Sequence, residues 1–283
     1  MSRVLALCAD DFGLAPGISA GIVRLARMER LSAISCITNS AYWAECAPLL
    51  AGLPASVDVG LHLNFTEGKP LSARLAKRWP VLPSLPRLVA QAHLRALPHS
   101  EMRNEVHAQL SAFNRVLGKP PRFIDGHQHV HHLPELRDII LDMVEHVQPL
   151  PAIRSTARVL GPGFALKRWL IERTGGRALA QELAQRVIAH NPALLGVYDF
   201  VTTDYRGLMQ RWLAMLPAEG GLLFCHPGAH AAGDPPDAIG PARERELAYL
   251  ASDAFASDLG AADVALGRVW QTASALNETS RRG

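Results

Sequence analysis

A chain of 283 residues that is 48% hydrophobic and 19% charged, with mean hydropathy of +0.06, can bury a substantial core and has the balance of a soluble globular protein. Its formal net charge of +3 is spread along the chain without a dense Lys/Arg block, which argues against a nucleic-acid partner. No apolar run approaches the ~20 residues of a membrane span, so no integral membrane association is expected.

The first apolar run, VLALCA at 4–9, is shorter than the ~7–15 residues of a secretory core. It reads as the first buried strand of a cytoplasmic protein. Further strands are predicted at 33–38, 57–63, 122–125, 152–154, 196–200, 221–225 and 262–265. Helices are predicted between them at 16–29, 102–117, 133–145, 166–189 and 243–255, the first opened by Pro16. This alternation predicts a parallel sheet with helices outside, and its spacing favours an irregular, TIM-like (β/α) barrel over an open sheet. No repeat or low-complexity linker divides the chain, so one domain is expected over 1–275, followed by a frayed tail at 276–283. Cys8, Cys36, Cys46 and Cys225 show no metal-site spacing and read as small buried side chains.

Polar residues collect where strands end. Asp10 and Asp11 close the first strand, and two adjacent acids repel unless a cation or a shared proton sits between them. His62 lies in VGLHLNF on the face opposite Val59, Leu61 and Leu63. Asp125, His127, His129 and His131 alternate through FIDGHQHVHH, and His226 follows the seventh predicted strand. Each has a plainer reading taken singly. Asp10 and Asp11 could cap the next helix, and His62 could be a hydrogen-bonded core histidine. Their shared location at strand ends makes a divalent-metal site the better explanation. A carboxylate with two imidazoles leaves coordination positions open, as in catalytic sites, and the second Asp could then serve as a base.

ADDFG, GLHLNFTEGKPL, FIDGHQHVH and CHP occur in the order and approximate spacing of the YdjC-like carbohydrate deacetylases, a family that includes chitooligosaccharide deacetylases and hopanoid-biosynthesis-associated members. The chain resembles this family over roughly residues 3–270. The resemblance implies a distorted β/α barrel of polysaccharide-deacetylase type that binds one divalent ion, Mg, Zn or another first-row transition metal. By the same resemblance the metal ligands are Asp11, His62 and His127, with Asp10 as general base and His226 as the acid toward the leaving amine. Asp125, His129, His131 and Arg154 are implied as supporting or substrate-facing groups, Arg154 steadying Asp10 or the substrate. The implied reaction is hydrolysis of an N-acetyl group on an amino sugar, with release of acetate. A homodimer is compatible with the family.

The segment QAHLRALPHSEMR, the loop after the third strand and GAHAAGDPPD depart from the family pattern. The reaction type therefore carries over better than the substrate, which could be a chitooligosaccharide, another N-acetylated sugar or a glycolipid headgroup. Trp43, Trp79 and Phe65 are open to sugar stacking or to packing. Two other classes stay in view. One is a metal-dependent amidohydrolase or phosphoesterase, although the former would end its first strand with His-x-His and the latter would carry more carboxylates. The other is a non-catalytic sugar-binding barrel, which would have no use for Asp10.

Overall fold

Residues 2–272 are described by the computed structural model, so the tail expected at 276–283 lies outside the described residues. The chain begins with β1 (Arg3–Phe12), α1 (Pro16–Arg27), β2 (Ala33–Cys36), α2 (Trp43–Cys46) and β3 (Asp58–Leu63). After α3 (Ala73–Arg78), α4 (Leu85–His93) and α5 (His99–Leu117) come β4 (Phe123–Gly126) and a single-turn helical loop at His127–His132. Then follow α6 (Leu136–Val144), β5 (Ala152–Ile153), α7 (Ala165–Ile171), a wide turn at Glu172–Gly176 and α8 (Arg177–Gln185). The chain closes with β6 (Leu194–Leu195), α9 (Tyr205–Met215), β7 (Gly221–Cys225), α10 (Gly240–Leu250), α11 (Asp253–Ala261) and β8 (Val264–Leu266).

All strand pairings are parallel, in the order β5-β4-β3-β2-β1-β7-β6. β1 is the hub. Leu5 pairs with both Gly221 of β7 and Leu266 of β8, so β8 lies on the β2 side of β1, covering Arg3–Leu5 before β2 takes over at Cys8. β5 and β6 do not pair directly. The seam between them is bridged by irregular backbone, where Leu160 N–H donates to the Leu194 carbonyl (2.8 Å) and Leu194 N–H to that of Arg158 (2.9 Å). The architecture is thus a distorted, incompletely closed β/α barrel.

Period-two alternation sends Ala6, Cys8, Ala33, Phe123, Ala152, Leu222 and Phe224 into one buried cluster inside the sheet, while the opposite face packs on the helices. Phe123 fills the lower interior and stacks on Trp270 with ring centroids 4.9 Å apart. A Cβ on Gly60 would fall 2.5 Å from the Phe123 ring, so β3 has no side chain at that level.

Helices α2, α3, α4 and α9 are not among the expected elements, and three of the expected elements take a different form. The sixth strand lies at Leu194–Leu195 and not at 196–200, because Gly196 turns to φ +111° against the Phe224 carbonyl and takes the chain out of the sheet. The helix expected at 166–189 is broken at Glu172–Gly176, where Gly175 and Gly176 press against the His132 and Thr156 carbonyls too closely for any Cβ. The helix expected at 243–255 is two helices, α10 and α11, with Ser252 extended between them. Trp43, Trp79 and Phe65 are packing residues. All three are buried, and Trp43 stacks on Phe113 at 6.1 Å.

Candidate active site

Neighbouring residues on a strand normally face opposite ways, yet Asp10 and Asp11 both reach the site. Pairing of β1 with β2 steps from Ala9↔Ile34 to Phe12↔Cys36, leaving one extra residue on β1, and Asp11 adopts φ +69°. This bulge turns both carboxylates to the same barrel mouth.

Asp11 is 1% exposed and lies among cations. Its Oδ1 accepts from His127 Nδ1 at 3.0 Å and is 3.5 Å from His62 Nε2, while Oδ2 accepts from Arg243 at 2.8 Å. Burial opposes its ionisation, but Arg243 and His127 outweigh that and hold the carboxyl well below the usual range. Burial likewise opposes a charge on His127, but Asp11 and Glu67 (Oε2 at 3.1 Å from His127 Nε2) raise it to about 10.

Asp10 is gripped from below. Arg154, fully buried, donates to both of its oxygens at 2.7 and 2.6 Å and also pairs with Asp125. Asp125 in turn accepts from His62 Nδ1 at 2.6 Å and from Ser35 at 2.5 Å. Despite burial, Arg154 and His62 hold Asp125 at about 2. Beneath the same network His131 Nε2 contacts the Arg154 carbonyl at 2.8 Å, and burial lowers His131 to about 4.

Opposite Asp10, His226 packs edge-on against Phe200 and Phe224, and its buried Nδ1 has no hydrogen-bond partner. Burial lowers it to about 4, so it is neutral at rest. Its backbone N–H donates to Glu246 at 2.6 Å, and burial lifts Glu246 to about 7.

These groups form the floor of a cavity of about 1140 Å³ lined by Asp10, Asp11, His62, His127, His129 and His226. Its walls are largely apolar, with Leu14, Ile18, Leu85, Val89, Ile171, Val197, Phe200 and Ile239 among them. Arg154, Asp125 and His131 do not line it, so they lie beneath the floor, whereas His129 faces the cavity.

The donor set fits a divalent cation. Asp11, His62 and His127 offer ligand atoms all within 4.8 Å of one another. With Nδ1 directed at Asp125, His62 turns Nε2 toward an Asp11 oxygen at 3.5 Å, an arrangement in which an imidazole nitrogen and a carboxylate can share a cation. A second group, Cys8, Asp10 and Asp125, is also close enough to hold an ion. It already encloses a cation, since Arg154 contacts Cys8 Sγ (3.2 Å), Asp10 and Asp125. Sequence reasoning missed Arg243, Glu67, Ser35 and Glu246. Arg243 and Glu246 sit in the highly charged stretch PARERELAYL, which reads as a solvated helix face.

Fold and site together define a parallel β/α barrel with an Asp-His-His centre at the C-terminal ends of its strands. The family model described as YdjC-like protein matches residues 4–261, and the chain belongs to that family. Among curated relatives, the chitooligosaccharide deacetylase of Yersinia enterocolitica is 33% identical over 159 residues, covering 53% of this chain and 59% of that protein. The one from Proteus mirabilis is 34% identical over 152 residues, covering 51% and 56%. The match thus spans little more than half the length of these relatives. A candidate cellobiose-phosphate cleavage protein of Enterococcus faecalis superposes with TM-score 0.72 at 20% identity, over 95% of this chain and 98% of that one. That similarity establishes the fold.

Proposed function

We propose that the chain is a metal-dependent hydrolase that removes an N-acetyl group from an amino sugar and releases acetate. The observation that carries this reading is the Asp11–His62–His127 cluster, flanked by the separate carboxylate of Asp10 and the imidazole of His226 in one cavity. The relatives named chitooligosaccharide deacetylase support the reaction class. Two imidazoles and one carboxylate suit a first-row transition ion such as Zn better than Mg. When bound, such an ion polarises the acetamide carbonyl and acidifies a water.

The chain's own residues would do the rest. Asp10, oriented by Arg154, accepts the proton of the attacking water. The amine must leave protonated. His226, on the same cavity floor, would be the acid. Protonated from solvent as negative charge builds on the substrate, it gives that proton to the departing nitrogen and returns to neutral, while Asp10 releases the water's proton to solvent. Glu246 fixes the backbone that carries His226. Asp125 keeps His62 in the tautomer that presents Nε2, and Asp125, His131 and Arg154 act as support while His129 faces substrate. We further place this activity in a single domain over 1–275 and in the cytoplasm. Among the described residues no helix is long and apolar enough to cross a membrane.

The walls refine the substrate. The cavity offers the aromatic and polar groups that hold oligosaccharides, among them Tyr198, Phe200, Phe224, Asp234 and Asp237. Beside them runs an extended wall of Leu14, Ile18, Leu85, Val89, Ile171 and Ile239 that a free sugar would leave uncovered. An amino sugar carried on an apolar aglycone matches it better than a free chitooligosaccharide. A two-metal phosphoesterase is disfavoured because Arg154 fills the second carboxylate cluster.

The test is acetate release from diacetylchitobiose and from long-chain alkyl glycosides of N-acetylglucosamine, with metal-stripped and metal-restored protein beside Asp10→Asn. Metal-dependent acetate that disappears in Asp10→Asn is expected, with the alkyl glycosides preferred. Acetate that persists in Asp10→Asn, or that needs no metal, would remove the proposed roles. Equal use of both sugars would remove the apolar-aglycone refinement alone.

A further inference from the structure

α7 has no buried residue. Leu166, Trp169, Leu170 and Arg173 follow i, i+3, i+4, i+7 spacing and so share one face, with Leu166 70%, Trp169 51% and Leu170 45% exposed. In a solvated helix that stripe would face the core. Here it faces water, on a wall of the cavity, because Lys167 and Leu170 also line the mouth. Beside it, Lys167 Nζ donates to the Tyr198 carbonyl at 2.7 Å, and the adjoining loop exposes Val201 at 74%.

The charge along the segment that carries the stripe is mainly positive, with Asp199 beside Lys167 as a counter-charge from outside it. From 160 to 177 the cations are Lys167, Arg168, Arg173 and Arg177, and the sole acid is Glu172. Glu172 is turned inward, accepting from Val159 N–H and Arg177, both at 3.0 Å. The Arg173 guanidinium lies over the Trp169 ring at 5.8 Å. Exposed Trp and Leu ringed by Lys and Arg are the composition of an interfacial segment that meets anionic headgroups. A second copy of this chain fits poorly, since it would bring these cations against their own kind.

We propose that α7 is a membrane-docking element: it rests on an anionic lipid bilayer, with Leu166, Trp169 and Leu170 among the headgroups and acyl chains, Arg173 on the phosphates, and the cavity mouth opening toward the membrane. The inference goes beyond the hydrolytic reading and does not depend on it.

Co-sedimentation with vesicles of phosphatidylcholine mixed with phosphatidylglycerol, and of phosphatidylcholine alone, tests it at low and high salt. Binding to the anionic vesicles should exceed that to neutral ones by about tenfold or more and weaken as salt rises. The double variant Leu166→Ser/Trp169→Ser should bind about tenfold less or worse, keeping its circular dichroism, its affinity for divalent metal and its acetate release from a soluble substrate. Brominated lipid should quench the wild-type fluorescence more than that of Trp169→Phe. Absence of vesicle binding, or binding that the double variant retains, would overturn the proposal. So would a dimer in sedimentation velocity that the double variant dissolves, because the face would then belong to a second copy. Acetate release is scored separately, so failure of the hydrolytic reading leaves the vesicle result intact.

Discussion

Asp10 and Asp11 are adjacent but have different partners, and substitution should separate them. Asp11 faces two imidazoles and Arg243, so Asp11→Asn removes the one anionic donor of the cluster. Divalent-metal affinity measured by calorimetry should fall by about two orders of magnitude or more. Asp10 is held by Arg154 and belongs to no group with His62 or His127, so Asp10→Asn should bind metal almost normally while acetate release collapses. Loss of metal binding in both variants would mean that the two acids act as one ligand pair. Arg154 supports both Asp10 and Asp125 from a fully buried position, and Arg154→Met leaves two buried carboxylates without their cation. Chemical denaturation should show a loss of about 3–5 kcal/mol. At this scale the sequence was informative because the acids and imidazoles cluster at strand ends. The bulge at Asp11 was invisible, since no glycine marks its φ of +69°. Arg243 was missed for another reason: it meets Asp11 across 232 positions from the middle of a charged helix.

The elements tolerate these polar groups only because neighbouring strands make room for them. β3 presents Gly60 beneath His62 so that Phe123 of β4 can fill the barrel. Gly60→Ala should overpack that level and cost about 1–3 kcal/mol. Combined with Phe123→Leu, most of that cost should vanish, giving a favourable coupling in a double-mutant cycle. Additive losses would show that the Phe123 ring is not what Gly60 accommodates. On α10, Glu246 accepts from Tyr198 and from the His226 backbone in a buried setting. Burial raises its folded pKa from 4.5 to about 7, so its favourable contribution is complete below 4.5 and is lost as pH climbs through about 7. Wild-type stability should therefore decline over that window by up to about 3 kcal/mol relative to Glu246→Gln. Parallel pH profiles of the two proteins would contradict this. Element positions were legible where apolar runs were sharply bounded, as at β1, β3, β4 and β7. They were not legible at β6, because 196–200 is apolar to line a cavity and not to pair in the sheet. α3, α4 and α9 lay in stretches whose Pro, Arg and Gly content masks helical periodicity.

Taken whole, the barrel is fastened differently at its two ends. At the bottom, buried Asp58 accepts from Arg268 (2.8 Å) and Trp270 (2.9 Å), tying the segment after β8 back to β3. At the top, β1, β3 and the loop after β4 bring Asp11, His62 and His127 together, and a cation bound by the three would fasten this end. The β-α alternation and its spacing made the barrel class legible in the sequence. Its open seam was not, since β5 and β6 are two residues each and meet only through irregular backbone. An ion bound by Asp11, His62 and His127 has no counterpart of that geometry in the unfolded chain, so binding must raise global stability. At free metal about a hundredfold above Kd the gain is about 2.7 kcal/mol, which for a chain of this size is several degrees in Tm. Calorimetric melts of metal-stripped and reloaded protein should show that rise in wild type and in Asp10→Asn. The rise should be absent in Asp11→Asn. A rise of equal size in Asp11→Asn would place the ion elsewhere, and the three-residue cluster would then be a hydrogen-bonded network around a protonated His127.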